Sequence, residues 1–243
     1  MIPPTSAAPS RALAAGEVDA WVFDLDSPSQ PLPDLFALLD AQERDRASRL
    51  VFSRDRDRFV AAHGMLRLLL APYTAMAADR LCFDIGPEGK PSIRSDGDAP
   101  GPEFNLSHSG HVGLLAVSRA AVVGADVELH RELVEAGEIA RSHFAPAEVK
   151  RLESLPTQAQ HAAFFACWSR KEAYVKAQGG GLNIALDRFE VAFVPGEAPG
   201  IRSIEGSEAE AARWTLWDVD VGAIASAAVV VCAAHAVLRQ RAA

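Results

Sequence analysis

Two carboxylates stand two residues apart in an otherwise apolar run, Asp126 and Glu128 in the segment Gly124-Ala125-Asp126-Val127-Glu128. Alternate side chains of a strand share a face, so both acids would project together. Neighbouring carboxylates repel unless a proton or a cation lies between them. A few hard oxygen ligands with room left for water and phosphate suit Mg2+. A solvated strand face would also explain the pair, although its apolar neighbours argue for burial.

A second set of candidates lies in Phe164 to Lys176, FFACWSRKEAYVK, where Trp168, Glu172 and Lys176 recur every four residues and would line one helix face. Glu172 beside Lys176 could complete a metal site and neutralise a departing phosphate; it could equally be an ion pair worth a few tenths of a kcal/mol, about 0.3–0.5. Gly179 to Gly181 ends that helix and would let backbone approach a ligand. A third set is Phe104 to Gly110, FNLSHSG. Ser107, His108 and Ser109 could serve a hydrolase, but there is no GxSxG elbow and strand neighbours point to opposite sides. They could instead hold a phosphate, or form a polar turn between strands.

The elements that must position these residues follow from periodicity. Trp21 to Asp26 alternates as a strand, Pro33 opens a helical stretch through Leu35, Leu38, Leu39 and Gln42, and a second helix runs from about Asp55 to Met76. Strands are expected at Leu81 to Ile85, Pro91 to Arg94, Phe104 to Leu106, Val112 to Val117 and Val122 to Leu129. Helices then cover about Glu132 to His143, Pro146 to Leu155 and Gln160 to Gln178. Strands return at Phe189 to Val194, Trp214 to Asp220 and Ala225 to Ala234. Helices followed by strands, twice, predict an α+β protein of two halves, residues 1–121 and 122–243, although no direct repeat of sequence is visible.

The whole chain sets limits on function. Its 243 residues suffice for one large or two small cores, and 49 % hydrophobic with 23 % charged residues is ordinary for a globular protein. Cys82, Cys167 and Cys232 are an odd number without a CxxC pair, against a disulfide framework or zinc site and in keeping with a reducing cytoplasm. The first twenty residues lack a signal peptide's charged start and apolar run, and read as a loose leader. The most apolar stretch, Ala223 to Leu238, is short for a bilayer span and reads as a buried strand. A net charge of −8 argues against general nucleic-acid binding, yet Arg44, Arg46, Arg49, Arg54, Arg56 and Arg58 crowd one short segment.

In order along the chain stand Gly89-Lys90-Pro91, Asn105-Leu106-Ser107-His108-Ser109, the GADVE segment and Trp168-Ser169-Arg170-Lys171-Glu172-Ala173-Tyr174-Val175-Lys176. This sequence of motifs resembles the Sfp-type 4′-phosphopantetheinyl transferases, which activate the carrier proteins of peptide and polyketide synthases. The likeness continues through Gly181-Leu182 and Leu186 to Val191, and more loosely back to the arginine-rich segment. Where the family often has GKGL after the helix, this chain has Gly179-Gly180-Gly181-Leu182, so no lysine is available there.

The resemblance implies two pseudo-two-fold-related α+β halves with coenzyme A and Mg2+ in the cleft between them. Residues 1–121 would supply the coenzyme A phosphate contacts, and 122–243 the metal-binding carboxylates. Carried over, Asp126, Glu128 and Glu172 would hold Mg2+, and Glu172 would take the proton of the carrier serine. Lys176 would stabilise the transition state and the departing 3′,5′-ADP. His108, with Ser107 beside it, would contact the 3′-phosphate, Lys90 would lie near the adenine and phosphates, and Arg58 and Arg46 would add phosphate contacts. The expected partners are apo acyl or peptidyl carrier proteins, and the expected state is a cytoplasmic monomer with no nucleic-acid or membrane partner. A coenzyme A-binding module without catalysis, and a serine hydrolase at Ser107 or Ser109, are the alternatives.

Overall fold

A computed structural model describes residues 11–74, 76–94, 101–181 and 184–243. The first ten residues of the expected leader and Leu182 of the Gly-Leu match lie outside them. The last four residues of that leader are a strand instead, because β1 (Glu17–Asp24) begins at Glu17.

The first half runs β1, α1 (Leu32–Leu38), α2 (Ala41–Ser48), α3 (Ser53–Leu70), β2 (Phe83–Ile85), β3 (Pro91–Ile93), β4 (Glu103–Ser109) and β5 (Val112–Ser118). The second runs β6 (Val123–Leu129), α4 (Ala136–His143), α5 (Pro146–Ser154), α6 (Thr157–Gln178), β7 (Phe189–Ala192), β8 (Gly200–Ile204), α7 (Glu208–Ala211), β9 (Thr215–Asp218) and β10 (Ala225–Val231). Each half is thus a strand, two short helices, a long helix, a two-stranded hairpin and two more strands, with the short α7 added after the hairpin of the second. In each, the last strand lies antiparallel between the first and the one before it, giving β1-β5-β4 and β6-β10-β9. A final strand, β11 (Val237–Ala242), crosses back to lie parallel to β1. The chain is α+β, with one topology used twice.

The same buried ion pair also recurs. Glu43, the third residue of α2, accepts the Asp40 N–H that precedes the helix and pairs with Arg67 of α3, whose Nη1 donates to the Leu81 carbonyl. Glu148, the third residue of α5, accepts the Ala145 N–H and pairs with Lys171 of α6, whose Nζ donates to the Leu186 carbonyl. Each pair ties a short helix, the long helix and the start of the hairpin together. An unpaired charge at such a depth would be costly, so the geometry is tightly held.

Some boundaries differ from the periodic reading for local reasons. The helical stretch after Pro33 breaks at Leu39 and Asp40, because Asp40 accepts the Glu43 N–H while Glu43 accepts that of Asp40, which starts a new helix. The helix expected to reach Met76 ends at Leu70 and tightens into a single 3-10 turn, Ala71–Tyr73, which contains Pro72. The strands β8 and β11 have too few buried positions to show apolar alternation in the sequence.

Alternation sorts the side chains into three layers. Leu115 and Val117 of β5 face α3, whereas Val112, Leu114 and Ala116 face the second sheet. There they meet Val123, Ala125 and Val127 of β6 and Val229 and Val231 of β10. Ala228 and Val230 face α6. Burial of each Val or Leu contributes about 1.5–3 kcal/mol, so the shared apolar layer is what holds the two halves together. The odd-numbered residues of β6 enter that layer, and Gly124, Asp126 and Glu128 are left to face the other way. Among the described residues, no helix is long and apolar enough to cross a membrane.

Candidate functional site

The polar residues gather where the edge of one sheet meets the edge of the other. β4 and β6 belong to different sheets, yet side chains of β4 take the place of a backbone ladder between them. Asn105 Oδ1 accepts the Ala125 N–H at 2.9 Å, Ser107 Oγ that of Val127 at 3.4 Å and Ser109 Oγ that of Leu129 at 3.1 Å. Residues i, i+2 and i+4 of one strand therefore serve i, i+2 and i+4 of the other, as a period of two requires. An Asn-x-Ser-x-Ser pattern does this because its short side chains carry acceptors close to the backbone. This is also why the strand extends to Ser109, beyond the Leu106 end expected from apolar residues alone.

The same hydroxyls reach the acids of β6. Ser107 Oγ donates to Asp126 Oδ1 at 3.1 Å, and Ser109 Oγ donates to Glu128 Oε2 at 3.2 Å. Lys176 Nζ lies 2.5 Å from Asp126 Oδ1 and 3.0 Å from Ser107 Oγ. Among the described residues, buried Asp126 Oδ2 has no hydrogen-bond partner. The strand and α6 approach this closely because residue 124 is glycine. A Cβ there would stand 2.0 Å from the Ala173 carbonyl oxygen and 2.4 Å from the Ala177 nitrogen. Gly179, left-handed at φ 68°, then ends α6, its N–H bonded to the Val175 carbonyl.

Burial pushes the Asp126 carboxyl up, against the pull of Lys176 and Ser107. Glu128 is raised by burial and then by the charge of Asp126. Glu172 is raised by burial, then by Asp126, and also by Glu128. The three acids are therefore close enough to disfavour each other's charge. They are not drawn into one ready-made ligand set: among the described residues, no three His, Cys, Asp or Glu side chains are grouped so as to hold a metal ion. Asp126 and Glu128 share their face of β6, and Glu172 lines a neighbouring cleft of about 580 Å3 with Lys90, Leu106, Trp168, Lys176 and Gly179.

The expected phosphate contacts lie on the first half. His108 is exposed, yet its imidazole is held below its ordinary value, first by partial burial and then by the electrostatic influence of His63 and the positive charges of Lys176, Arg46 and Arg58. Arg58 is held in a two-pronged pair with Asp26, at 2.6 and 2.7 Å. Arg46 lies over the Phe59 ring, 5.3 Å from its centre. The Lys90 ammonium is spoken for: it donates to the Val123 carbonyl at 3.0 Å and the Ala177 carbonyl at 3.2 Å, pinning the β2–β3 turn to β6 and the end of α6. Burial lowers its pKa. Sequence reasoning missed His63, a lone histidine on a mostly buried helix face, as well as the roles of Asn105, Ser109 and Gly124. Only the full Asn-x-Ser-x-Ser spacing could have signalled two of these.

Family models match nearly all of this architecture. One, described as 4′-phosphopantetheinyl transferase, N-terminal, covers residues 27–120, and another, the 4′-phosphopantetheinyl transferase superfamily, covers 122–233. The chain is also 34 % identical over 223 residues to the 4′-phosphopantetheinyl transferase HetI of Nostoc sp., with 91 % of each chain covered. The chain belongs to the 4′-phosphopantetheinyl transferase superfamily. Similarity to relatives of the family extends to the 4′-phosphopantetheinyl transferase Sfp of Bacillus subtilis, 27 % identical over 82 % of this chain and 84 % of that one. Among solved structures, the holo-[acyl-carrier-protein] synthase (AcpS) of Thermotoga maritima is similar over 47 % of this chain and 65 % of that one, at 19 % identity and a TM-score of 0.37.

Proposed function

We propose that this enzyme carries out its family's reaction, transfer of the 4′-phosphopantetheine arm of coenzyme A to a carrier-protein serine, at the seam of β4, β6 and α6. The observation that carries the placement is Asp126: buried, one oxygen held by Lys176 and Ser107, the other without a partner among the described residues, and Glu128 two residues along on the same face. Buried carboxylates that raise one another call for a cation, and a partnerless oxygen is where one would bind. Asp126 and Glu128 thus fit Mg2+, and Glu172, coupled to both by charge, would be the third ligand. When bound, Mg2+ would neutralise the coenzyme A diphosphate under attack.

The protein's own groups divide the remaining work. Glu172, raised by burial and its acidic neighbours, takes the proton of the carrier serine hydroxyl as that oxygen bonds to the β-phosphorus. Lys176 stands between Asp126 and Ser107, from where its ammonium stabilises the charge that develops on the departing 3′,5′-ADP. His108, with Ser107, Arg46 and Arg58, receives the 3′-phosphate. Lys90 contributes to the adenine side as the post that fixes the turn Gly89 to Pro91. Residues 1–121 would thus bring the phosphate contacts, and 122–243 the carboxylates.

The partner is an apo acyl or peptidyl carrier protein rather than nucleic acid or a membrane, and the enzyme works as a cytoplasmic monomer. A net charge of −8 speaks against nucleic acid and calls for a local basic or apolar patch where an acidic carrier docks, while free cysteines fit a reducing compartment and the cleft is lined by residues of one chain. Incubation with coenzyme A, Mg2+ and a panel of apo carriers should add one phosphopantetheine arm to at least one carrier, read by intact mass. In the Asp126→Asn variant the rate should fall about 100-fold or more while thermal stability is kept; full activity of that variant would refute the placement. Coenzyme A binding without any mass gain across the panel would favour the non-catalytic module instead. The hydrolase reading is weakened by Ser107 and Ser109, whose hydroxyl protons go to Asp126 and Glu128 and not to a histidine.

A further inference from the structure

His63 has no part in the reading above, yet it is held as firmly as the residues that do. Its ring stacks on Phe59 with 4.0 Å between centroids, and the guanidinium of Arg46 lies over that same Phe59 ring. Its Nδ1 is 2.9 Å from Glu43 Oε1. Glu43 is itself fixed by Arg67 Nε at 2.8 Å and by the Asp40 N–H at 3.0 Å, so it cannot swing away with the histidine. Burial raises the Glu43 carboxyl, but its bonds to His63, Asp40 and Arg67 outweigh that and keep it below the ordinary range. With Nδ1 committed and the side chain 25 % exposed, Nε2 is the edge left for a ligand.

Around His108 the groups that carry or can carry positive charge are His63, Lys176, Arg46 and Arg58. Arg58 has Asp26 as its partner and His63 has Glu43, whereas Arg46 has no carboxylate among the described residues. Like charges gathered from α2, α3, β4 and α6 repel one another. An anion with several oxygens removes that repulsion and can accept from each of them. A histidine set between a carboxylate and a phosphate can donate to both, one from each ring nitrogen.

We propose that His63 is a binding residue of the 3′-phosphate subsite, donating from Nε2 to a phosphate oxygen while Glu43 holds Nδ1. The inference rests on the placement of the 3′-phosphate at His108. Its role is charge recognition of the ligand, and chemistry at the diphosphate does not pass through it.

Calorimetric titration of the full chain with coenzyme A and with dephospho-coenzyme A, without metal, separates the possibilities. The ratio of the two dissociation constants measures recognition of the 3′-phosphate alone. His63→Ala should lower that ratio about tenfold or more, as expected for a hydrogen bond to a charged group, with dephospho-coenzyme A binding unchanged within about twofold. His63→Arg should retain the ratio, a rescue that a purely structural role would not give. Equal loss for both ligands, or no loss for either, overturns the assignment. His108→Ala serves as the control. If it lowers the ratio while His63→Ala and His63→Gln do not, only the role of His63 falls. If neither residue affects the ratio, the placement of the 3′-phosphate falls as well. Melting temperatures of the variants, expected near the parent's, show whether folding contributes.

Discussion

Gly124 is the position where a single methyl group should separate chemistry from substrate binding. A Cβ at residue 124 would stand 2.0 Å from the Ala173 oxygen, whereas ordinary contact begins at 3.4 Å. The difference, roughly 1.4 Å, must be made up by moving backbone against backbone, because the Ala177 nitrogen at 2.4 Å blocks the alternative direction. In Gly124→Ala, α6 therefore shifts off β6 and carries Glu172 and Lys176 away from Asp126. A displacement of about 1 Å between reacting groups can cost on the order of 100-fold in rate, and overpacking costs about 1–3 kcal/mol. For a chain of this size that corresponds to roughly 2–12 °C in melting temperature. His108, Arg46 and Arg58 do not ride on α6, so recognition of the 3′-phosphate should survive. The assay is the rate of carrier mass gain at saturating coenzyme A, beside calorimetric coenzyme A affinity and thermal melting. A variant that keeps its rate within about threefold and its melting temperature would show that the close approach of α6 to β6 does not position the catalytic groups.

Lys171→Met should remove the partner of the fully buried Glu148 and two carbonyl contacts, at about 3–5 kcal/mol. Burial already raises the Glu148 carboxyl; the variant's penalty applies while that carboxyl is charged and is relieved as pH falls through its raised pKa, so the melting deficit should shrink towards acid pH. A deficit that is flat with pH would refute this. Asn105→Ala leaves the Ala125 N–H buried without an acceptor and should cost about 1–3 kcal/mol, measured by denaturant unfolding. His108 is held below its ordinary value in the free enzyme and an arriving phosphate raises it, so coenzyme A binding near neutral pH should take up protons. The uptake is read from calorimetry in buffers of different ionisation enthalpy and should diminish in His108→Ala; an uptake unchanged in that variant would show that the proton goes elsewhere.

Much of the fold was legible because its signals are local. Alternation placed β5 and β6, and the four-residue spacing of Trp168, Glu172 and Lys176 put all three along the cleft-facing side of α6. Period two also put Asp126 and Glu128 on one face of β6, away from the apolar layer of Val123, Ala125 and Val127. The order of helices and strands already predicted two similar halves, but no direct repeat shows in the sequence, because what the halves share is a pattern of contacts: Glu43 with Arg67 in one and Glu148 with Lys171 in the other. Different residue types can satisfy the same contact, so similarity of sequence can fade while the topology persists.

The sequence by itself determined which residue types are on offer and which face of its own element Asp126, Glu128, Trp168, Glu172 and Lys176 each occupy, since both depend on residue type and short-range period. It could not tell that Lys90 is engaged by two carbonyls, that Arg58 is held by Asp26, or that His63 stacks on the Phe59 ring over which Arg46 lies. Those facts depend on which edges meet, and the meeting of β4 with β6 joins residues about twenty positions apart, and Lys176 with Asp126 fifty apart. Only packing of the two sheets across their shared apolar layer brings such groups within bonding distance, because a hydrogen bond or an ion pair acts over a few ångströms and carries no information along the chain.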